Sequence, residues 1–265
     1  MTLKSDEVYL DGYLKNYVAR ISELKKKDWD LVIIVDGKER AGKSKFAQTI
    51  GISIDPTLCL PRIVFTPEEF HESVVHANPG EVIILDEAMT AFFSRAAMSK
   101  TNISLVRMLA ECGQRNLIII IVLPSIFVLD SYLALHRASC LFHIYTDKKN
   151  QRGFFKFYDR RRKKQLYIKG KVGQEYKYAV PNFRGRFYNH TFPWEEEYKK
   201  KKSDSLIAAF EKGTKKSAVD EKDKILESVF LQLYKGNKKD TLKQMRDMGL
   251  RFASDKASKW GGENL

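Results

Sequence analysis

The sequence carries a series of short apolar runs that do not alternate with polar residues. They lie at about residues 31–35, 62–66, 82–85, 117–123 and 140–145. Runs without alternation are typical of parallel strands that are buried on both faces. The segments between them are long enough for helices or crossovers, so the pattern predicts an α/β fold with a mainly parallel sheet between helices.

Two helices are predicted in the first third of the chain. From Val8 to Leu24 apolar residues recur at helical spacing, and this helix is expected to pack on the core or on a neighbouring subunit. Thr66 and Pro67, followed by two glutamates, are typical of a helix start. That second helix is expected to continue to about His76.

After Tyr145 the chain becomes polar and basic. Aromatic segments at residues 153–158 and 165–168 flank a cationic run, which predicts a β-hairpin with a strongly basic tip. The run consists of Arg160, Arg161, Arg162, Lys163 and Lys164. It would either contact DNA phosphates or form an ordinary solvated surface.

The remaining segments predict four regions in the chain. Residues 1–29 hold the N-terminal helix, and residues 30–194 hold the α/β core with the basic hairpin. Residues 195–223 are charged and are expected to form a helix and a linker. Residues 224–265 contain three helical stretches separated by Gly236 and Gly249, which predicts a small helical region, either a helix-turn-helix that binds DNA or another small bundle.

The net charge of +14 is distributed unevenly. Residues 1–144 hold 16 Lys and Arg against 17 Asp and Glu, whereas residues 145–265 hold 31 against 16. All of the positive excess therefore lies in the C-terminal part, which we expect to face a polyanion such as double-stranded DNA. Cys59, Cys112 and Cys140 are expected to be buried free thiols.

The sequence lacks an apolar run of the length that spans a membrane, and its N-terminus lacks the pattern of a secretion signal. The expected location is the cytoplasm, or the host cytoplasm if the protein is viral.

The segment from Leu31 to Ser44 contains the motif that points most directly to a function. A β-branched run leads into two glycines five positions apart, followed by a lysine and a hydroxyl residue, which is the pattern of a phosphate-binding loop. The loop amides and the next helix would hold phosphates, Lys43 would reach the β and γ phosphates of ATP, and Ser44 would bind Mg²⁺. The predicted nucleotide-binding residues are Gly37, Lys38, Glu39, Arg40, Ala41, Gly42, Lys43, Ser44 and Lys45, with Ser125 as a candidate sensor of the γ-phosphate.

A second strand ends in two carboxylates, Asp86 and Glu87. Side chains at the carboxyl ends of parallel strands meet ligands in open α/β sheets. Asp86 would hold Mg²⁺, and Glu87 would orient or deprotonate the attacking water. The strand at residues 117–123 fits the slot between the phosphate-loop strand and the Asp86 strand, which would make the fold RecA-like, of the additional-strand (ASCE) class of P-loop NTPases.

These motifs together resemble the HerA/FtsK superfamily, and most closely its small phage and archaeal zonula-occludens-toxin-like (Zot-like) members. The resemblance covers about residues 30–160 and includes Phe92-Phe93-x-Arg95, Arg115-Asn-Leu before an isoleucine-rich strand, and Ile126-Phe-Val-Leu-Asp130. It implies a ring-forming ATPase that moves or packages DNA, or that drives phage assembly. At the end of the fourth strand this chain has Leu123-Pro124-Ser125, where many family members have glutamine.

The expected function is an Mg-ATP-dependent DNA translocase or packaging motor of a phage, virus or plasmid. It would work as a hexameric or pentameric ring, and a packaging motor of this kind would have a portal or capsid partner. Such motors complete their sites with an arginine from the adjacent subunit. The candidates are Arg95, Arg107, Arg115 and Arg137, of which Arg115 and Arg137 are favoured. The alternatives are an ATP-gated assembly or adaptor protein and, less favoured, a small-molecule P-loop kinase.

Overall fold

The computed structural model describes residues 8–86, 109, 112–234, 237–252, 257 and 260, with the backbone alone for residues 209–224. The chain divides into two compact units, Met1–Leu206 and Ile207–Leu265. The first unit contains the sheet and the second is helical.

The first unit contains a sheet of seven strands within the described residues. They are β1 (Leu31–Gly37), β2 (Ile63–Val64), β3 (Val82–Leu85), β4 (Ile118–Val122), β5 (Cys140–Tyr145), β6 (Phe154–Tyr158) and β7 (Phe183–Arg186). Their order is β2-β3-β4-β1-β5-β6-β7. The first five are parallel, and β6 and β7 extend the sheet as antiparallel strands.

The position of β4 confirms the predicted fold class. β4 pairs with β1 on one side, with Ile33 opposite Ile120, and with β3 on the other, with Ile84 also opposite Ile120. The phosphate-loop strand and the Asp86 strand are therefore separated by one inserted strand. The fold is a RecA-like α/β P-loop fold. All seven β1 residues are buried, as the absence of alternation predicts.

Helices cover both faces of the sheet. The helices that pack on the sheet in the described residues include α1 (Gly12–Lys25), α2 (Lys43–Ile54), α3 (Pro67–His76) and α4 (Arg160–Gly170). Side chains from α1 and α2 join one apolar cluster with Ile33 and Val35 of β1. Side chains from α3 and α4 join the opposite cluster with Val32 and Ile34. Alternate residues of β1 thus supply two cores.

The predicted basic hairpin is wrong. Its first arm is β6, but residues 160–170 form helix α4 in place of a tip and a second arm. The Asp159 side chain accepts a hydrogen bond from the Arg162 backbone N–H and so caps the helix. Leu166 and Tyr167 are buried on the face of the second core. An N-cap aspartate followed by straight-chain helix formers was the overlooked signal.

The strand that pairs with β6 comes instead from residues 183–186. The sequence Phe-Arg-Gly-Arg alternates between the two faces, and Phe183 stacks on Phe157 of β6 with ring centroids 4.6 Å apart. Gly185 is needed because a Cβ there would lie 2.5 Å from the Phe155 ring. Cys112 and Cys140 are buried as expected, whereas Cys59 is exposed.

Helix α5 (Glu195–Leu233) is 39 residues long. The predicted linker is therefore absent from the described chain, because the charged segment at residues 195–223 continues as one helix into the first helical stretch predicted in residues 224–265. None of the helices in the described part of the chain combines the length and apolar character that a membrane span requires.

The second unit has its own small core. The end of α5 packs with α6 (Lys238–Asp247) through Leu226, Phe230 and Met245, together with Trp260. The Asn237 side chain caps α6. The third predicted helical stretch lies largely outside the described residues, and a helix-turn-helix role for this unit stays a prediction.

Candidate nucleotide-binding site

The candidate site lies at the carboxyl edge of the parallel strands. β1 ends at Gly37 and leads through a tight loop into α2, which begins at Lys43. β3 ends at Leu85, so Asp86 emerges at the same edge two strands away. The predicted metal residues Ser44 and Asp86 are thereby brought together from positions 42 residues apart.

Two glycines shape the loop, each for a different reason. Gly37 has φ of 142°, and a Cβ there would lie 2.1 Å from the Ile144 carbonyl oxygen of β5. Gly42 has φ of 102° and caps α2 in a left-handed conformation. Any side chain would therefore strain the backbone at both positions. The result is a curled loop that ends at a helix N-terminus, which is a favourable place for an anion.

Lys43 folds back over this loop. Its Nζ donates hydrogen bonds to the carbonyl oxygens of Gly37, at 2.8 Å, and Lys38, at 2.9 Å. These contacts hold the ammonium group at the mouth of the loop, within the region where the motif predicts phosphate. The side chains of Lys38, Glu39 and Arg40 are exposed, whereas Ala41 is buried.

Ser44 and Asp86 form the centre of the site. The Ser44 hydroxyl donates to Asp86 Oδ1 at 3.2 Å. Asp86 is almost completely buried, with 1% of its surface exposed. Its Oδ2 accepts a hydrogen bond from the Tyr198 hydroxyl and lies 3.9 Å from Lys202 Nζ. Lys202 Nζ also lies 3.4 Å from Ser44 Oγ.

Tyr198 and Lys202 were missed by the sequence analysis. Both belong to the first turns of α5, more than a hundred residues beyond the motifs they touch. They are four positions apart and so lie on the same helix face. The aromatic residues before them give a partial signal, because Trp194 donates from its indole Nε1 to Gln48 of α2 at 3.0 Å. Charge pattern alone favoured solvent exposure for this segment.

The predicted nucleotide-binding residue Lys45 also contacts α5. Its Nζ forms an ion pair with Glu195 and lies 4.9 Å from the centre of the Phe192 ring. The ion pair lowers the pKa of Glu195, although partial burial of that carboxyl opposes the shift. Lys45 therefore anchors α5 to the start of α2 in this structure.

A buried polar cluster supports the loop from the other face of the sheet. Asp36 is fully buried, and its carboxylate accepts hydrogen bonds from the Ile126 backbone N–H at 2.8 Å, from the Tyr176 hydroxyl and, at 2.9 Å, from His143 Nδ1. Burial and the Asp36 carboxylate raise the pKa of Tyr176 well above its usual range, so the phenol stays a donor. Because Asp36 directly precedes Gly37, this cluster fixes the entry to the phosphate loop.

Ser125, the candidate γ-phosphate sensor, belongs to this cluster. Its hydroxyl accepts from the Phe127 backbone N–H at 3.3 Å and shares a 3.2 Å hydrogen bond with the Tyr176 hydroxyl. Pro124 lies beside the loop, because its carbonyl accepts from the Gly37 N–H at 3.3 Å. Ser125 is therefore at the correct edge of the sheet, and its hydroxyl is engaged with Tyr176 rather than with the residues around Asp86.

The two favoured arginines lie at the opposite, amino edge. Arg115 Nη1 donates to the carbonyl oxygens of Val74 and Val75, both at 2.7 Å, at the end of α3. Arg137 forms an ion pair with Asp30, just before β1, and donates to the Leu109 carbonyl. The structure does not bring either one to Lys43 of the same chain. A role in an adjacent subunit stays a prediction.

The basic run at residues 160–164 also lies toward the amino edge, where β6 ends. Arg160 donates to the His136 carbonyl at 2.5 Å, and Arg162 donates to those of Val180 and Pro181. Lys163 is fully buried and donates to the Ala134 carbonyl, and this burial lowers its pKa to about 8. Arg161 and Lys164 are exposed. DNA binding by this run stays a prediction that now concerns mainly these two residues.

Three predicted residues lie outside the described part of the chain. They are the catalytic candidate Glu87 and the arginines Arg95 and Arg107. Glu87 directly follows Asp86 in the sequence, and its role stays a prediction.

The residues of the site fit a magnesium nucleotide. A hydroxyl and a carboxylate oxygen, 3.2 Å apart, are hard oxygen donors of the type that Mg²⁺ prefers. The loop before Ser44 packs so closely against β5 that a Cβ at Gly37 would collide with the backbone of Ile144. This combination of a backbone cradle, a lysine and two oxygen ligands suits a phosphate chain with its metal.

Comparisons with known proteins find similarity among solved structures only. No protein-family model matches the sequence, and no curated protein matches it either. Among solved structures, the chain is similar to the crystal structure of the N-terminal domain of zonular occludens toxin from Neisseria meningitidis. The TM-score is 0.40 and the identity 16%, over 63% of this chain and 98% of that chain.

Proposed function

We propose that the chain binds Mg-ATP and hydrolyses it. The observation that carries this proposal is the hydrogen bond from Ser44 Oγ to Asp86 Oδ1, 3.2 Å long, across the inserted strand β4. An ordinary glycine turn would not place a hydroxyl at the start of a helix against a buried carboxylate at the end of another strand. In P-loop enzymes this pair holds the magnesium ion.

Each residue has a defined task in this mechanism. The loop amides and the N-terminus of α2 would bind the β-phosphate, and Lys43 would turn from its carbonyl partners to the phosphate oxygens. Ser44 and Asp86 would hold Mg²⁺, which supplies charge neutralisation at the β and γ phosphates. Glu87 would orient the attacking water and accept its proton.

The second part of the proposal is that hydrolysis drives movement along double-stranded DNA, in a ring of five or six copies. The positive excess of residues 145–265 supports a polyanionic partner. The sequence resemblance to the HerA/FtsK superfamily, described above, supports a motor. A portal or capsid partner would make it a genome-packaging motor.

The experiment is a phosphate-release assay with and without double-stranded DNA. Wild-type protein should hydrolyse ATP, and DNA should stimulate it. Lys43→Ala should abolish turnover, and Lys200→Ala, which removes an exposed lysine of α5, is the matched control and should leave it unchanged. Turnover in Lys43→Ala equal to wild type would reject the ATPase proposal, and turnover without any DNA response would reject the motor.

A second candidate function is an ATP-gated assembly or adaptor protein that translocates nothing. One observation favours this function. Tyr198, near the start of α5, donates a hydrogen bond to Asp86 of the candidate site, and α5 continues as one helix to Leu233. Such a helix is suited to report the nucleotide state. Displacement of a triplex-forming strand from DNA separates the two functions, because only a translocase should displace it. A small-molecule kinase is disfavoured by the strand inserted between β1 and β3 and by the paired carboxylates at residues 86–87.

A further inference from the structure

The ammonium group of Lys202 contacts both side chains of the candidate metal site, the Ser44 hydroxyl and the Asp86 carboxylate. Its Nζ is 3.4 Å from Ser44 Oγ and 3.9 Å from Asp86 Oδ2. A cation beside a buried carboxylate lowers the electrostatic cost of burying that charge. Lys202 therefore supplies positive charge to the same hydroxyl and the same carboxylate that the proposed function assigns to Mg²⁺. It approaches the carboxylate at Oδ2, whereas Ser44 contacts Oδ1.

Residues just before Lys202 in the sequence anchor the start of α5. Tyr198, one helical turn earlier, is buried and donates to the same Asp86 carboxylate. Phe192 is 2% exposed and packs in the core with α2, and Lys201 donates to the Ile63 carbonyl at 2.8 Å. The Lys202 side chain itself is 26% exposed. The helix is thus anchored, while the lysine side chain has room to turn toward solvent.

We propose that Lys202 competes with Mg²⁺ for Ser44 and Asp86, and so sets the magnesium concentration at which the site fills. This inference rests on the proposed function. The Lys202 ammonium and a divalent ion at this site would repel each other at short range, and both would draw on the Ser44 hydroxyl and the Asp86 carboxylate. Mg-nucleotide binding displaces the ammonium, while the Tyr198 hydroxyl keeps Asp86 in place.

This competition makes the position of the Lys202 side chain depend on whether magnesium is bound. Without metal, Lys202 keeps Asp86 balanced and oriented, so the site is preformed. With metal, the displaced lysine turns out of the site from the face of α5, and nucleotide loading changes a contact on the helix that continues to Leu233. Free nucleotide without magnesium leaves the contact intact.

The test is a magnesium titration of nucleotide binding. A fluorescent, non-hydrolysable ATP analogue is held at fixed concentration with each full-length protein, and Mg²⁺ is added from zero. Lys202→Met keeps the aliphatic length and removes the charge. It should lower the Mg²⁺ concentration for half-maximal binding by about three- to tenfold, less at high salt. Lys202→Arg retains a cation and should stay close to wild type.

Lys200→Met is the matched control, because it removes the same charge from an exposed position of the same helix. It should shift the midpoint by less than about 1.5-fold. An unchanged or higher magnesium midpoint in Lys202→Met would overturn the inference, as would an equal shift in Lys200→Met. If wild-type protein binds no magnesium nucleotide at all, the proposed function fails first. Thermal unfolding of each variant checks that the fold is retained.

Discussion

The two edges of the parallel sheet use the same kinds of charged residue in different ways. At the amino edge, cations are tied to fixed partners of the same chain, as in the 2.5 Å pair between Arg62 and Asp55 and the Arg115 contacts with helix carbonyls. At the carboxyl edge, Lys43 contacts two carbonyl oxygens of the phosphate loop, and Lys202 contacts the two proposed metal ligands. The comparison leads us to expect that substitutions at the amino edge lower stability, whereas substitutions at the carboxyl edge lower nucleotide binding and turnover.

Asp86→Asn should show the largest effect, at the carboxyl edge. The substitution keeps the shape of the side chain and removes the negative charge that Mg²⁺ requires. Turnover of ATP should fall by about 100-fold or more, while the midpoint of thermal unfolding should change little. Steady-state phosphate release, alongside a thermal melt, measures both. Turnover near that of wild type would remove Asp86 from the metal site.

Arg62→Met should show the opposite result, at the amino edge. It leaves Asp55 buried without its ion-pair partner, although Asp55 would still accept from the Val82 N–H at 2.9 Å. Burial raises the pKa of Asp55, but hydrogen bonds from Thr57 and the Val82 N–H, together with Arg62, lower it below its usual value. The free energy of unfolding should fall by about 3 kcal/mol, with nucleotide affinity of the folded protein unchanged. Urea unfolding measures the first and nucleotide titration the second. A free energy of unfolding equal to that of wild type would show that the amino edge does not depend on the ion pair between Arg62 and Asp55.

Lys163→Met tests the amino edge through pH. The folded-state pKa of Lys163 is lowered by burial to about 8, whereas an unfolded lysine titrates near its usual 10.5. Between these values the unfolded chain binds more protons, so wild-type stability should rise as pH increases from 8 toward 10.5. The variant lacks the buried ammonium group. Its free energy of unfolding should therefore exceed that of wild type by about 1–3 kcal/mol at neutral pH, and the difference should shrink as pH rises. Chemical unfolding at several pH values tests this, and a parallel pH profile for both proteins would contradict it.

Arg115→Ala tests whether this arginine only stabilises the amino edge or also acts in catalysis. Loss of its hydrogen bonds to Val74 and Val75 should lower the free energy of unfolding by about 1–2 kcal/mol. ATP turnover should stay within about twofold of wild type if the arginine acts only within its own chain. A large loss of turnover at unchanged stability would instead support the predicted role as an arginine from the adjacent subunit.

The smallest effect is expected from Arg161→Ala combined with Lys164→Ala. These two residues are exposed on α4, so their loss should weaken DNA binding and reduce its salt dependence by a slope of about two. Lys15→Ala combined with Arg20→Ala removes two exposed cations from α1 and serves as the control. Salt-dependent anisotropy with labelled duplex DNA gives both slopes. Equal slopes in both double variants would leave α4 without a specific part in DNA binding.

The sequence predicts the parallel core well because burial on both faces leaves a strong local signal. The run Ile118–Val122 falls in the slot between β1 and β3, and the placement of Asp86 follows from its position at a strand end. The prediction of a hairpin was wrong because the aromatic flanks indicated strands. The Asp159 cap and the buried Leu166 and Tyr167 stabilise a helix instead.

Two other features depend on contacts that no local pattern encodes. Tyr198 and Lys202 reach Asp86 only because α5 packs on α2. Arg115 and Arg137 could not be separated from catalytic arginines by residue type, since only the edge of the sheet on which they lie distinguishes them. Long-range packing, rather than propensity, decides both cases.

The central claim is that Ser44 and Asp86 jointly hold the magnesium ion of a bound nucleotide. The most direct test is calorimetric titration of ATP into wild-type protein and Ser44→Ala, each with Mg²⁺ and with EDTA. Wild type should bind at least about tenfold more tightly with Mg²⁺, and Ser44→Ala should lose that difference. Equal affinity of the wild type in both conditions, or a magnesium effect preserved in Ser44→Ala, would contradict the claim.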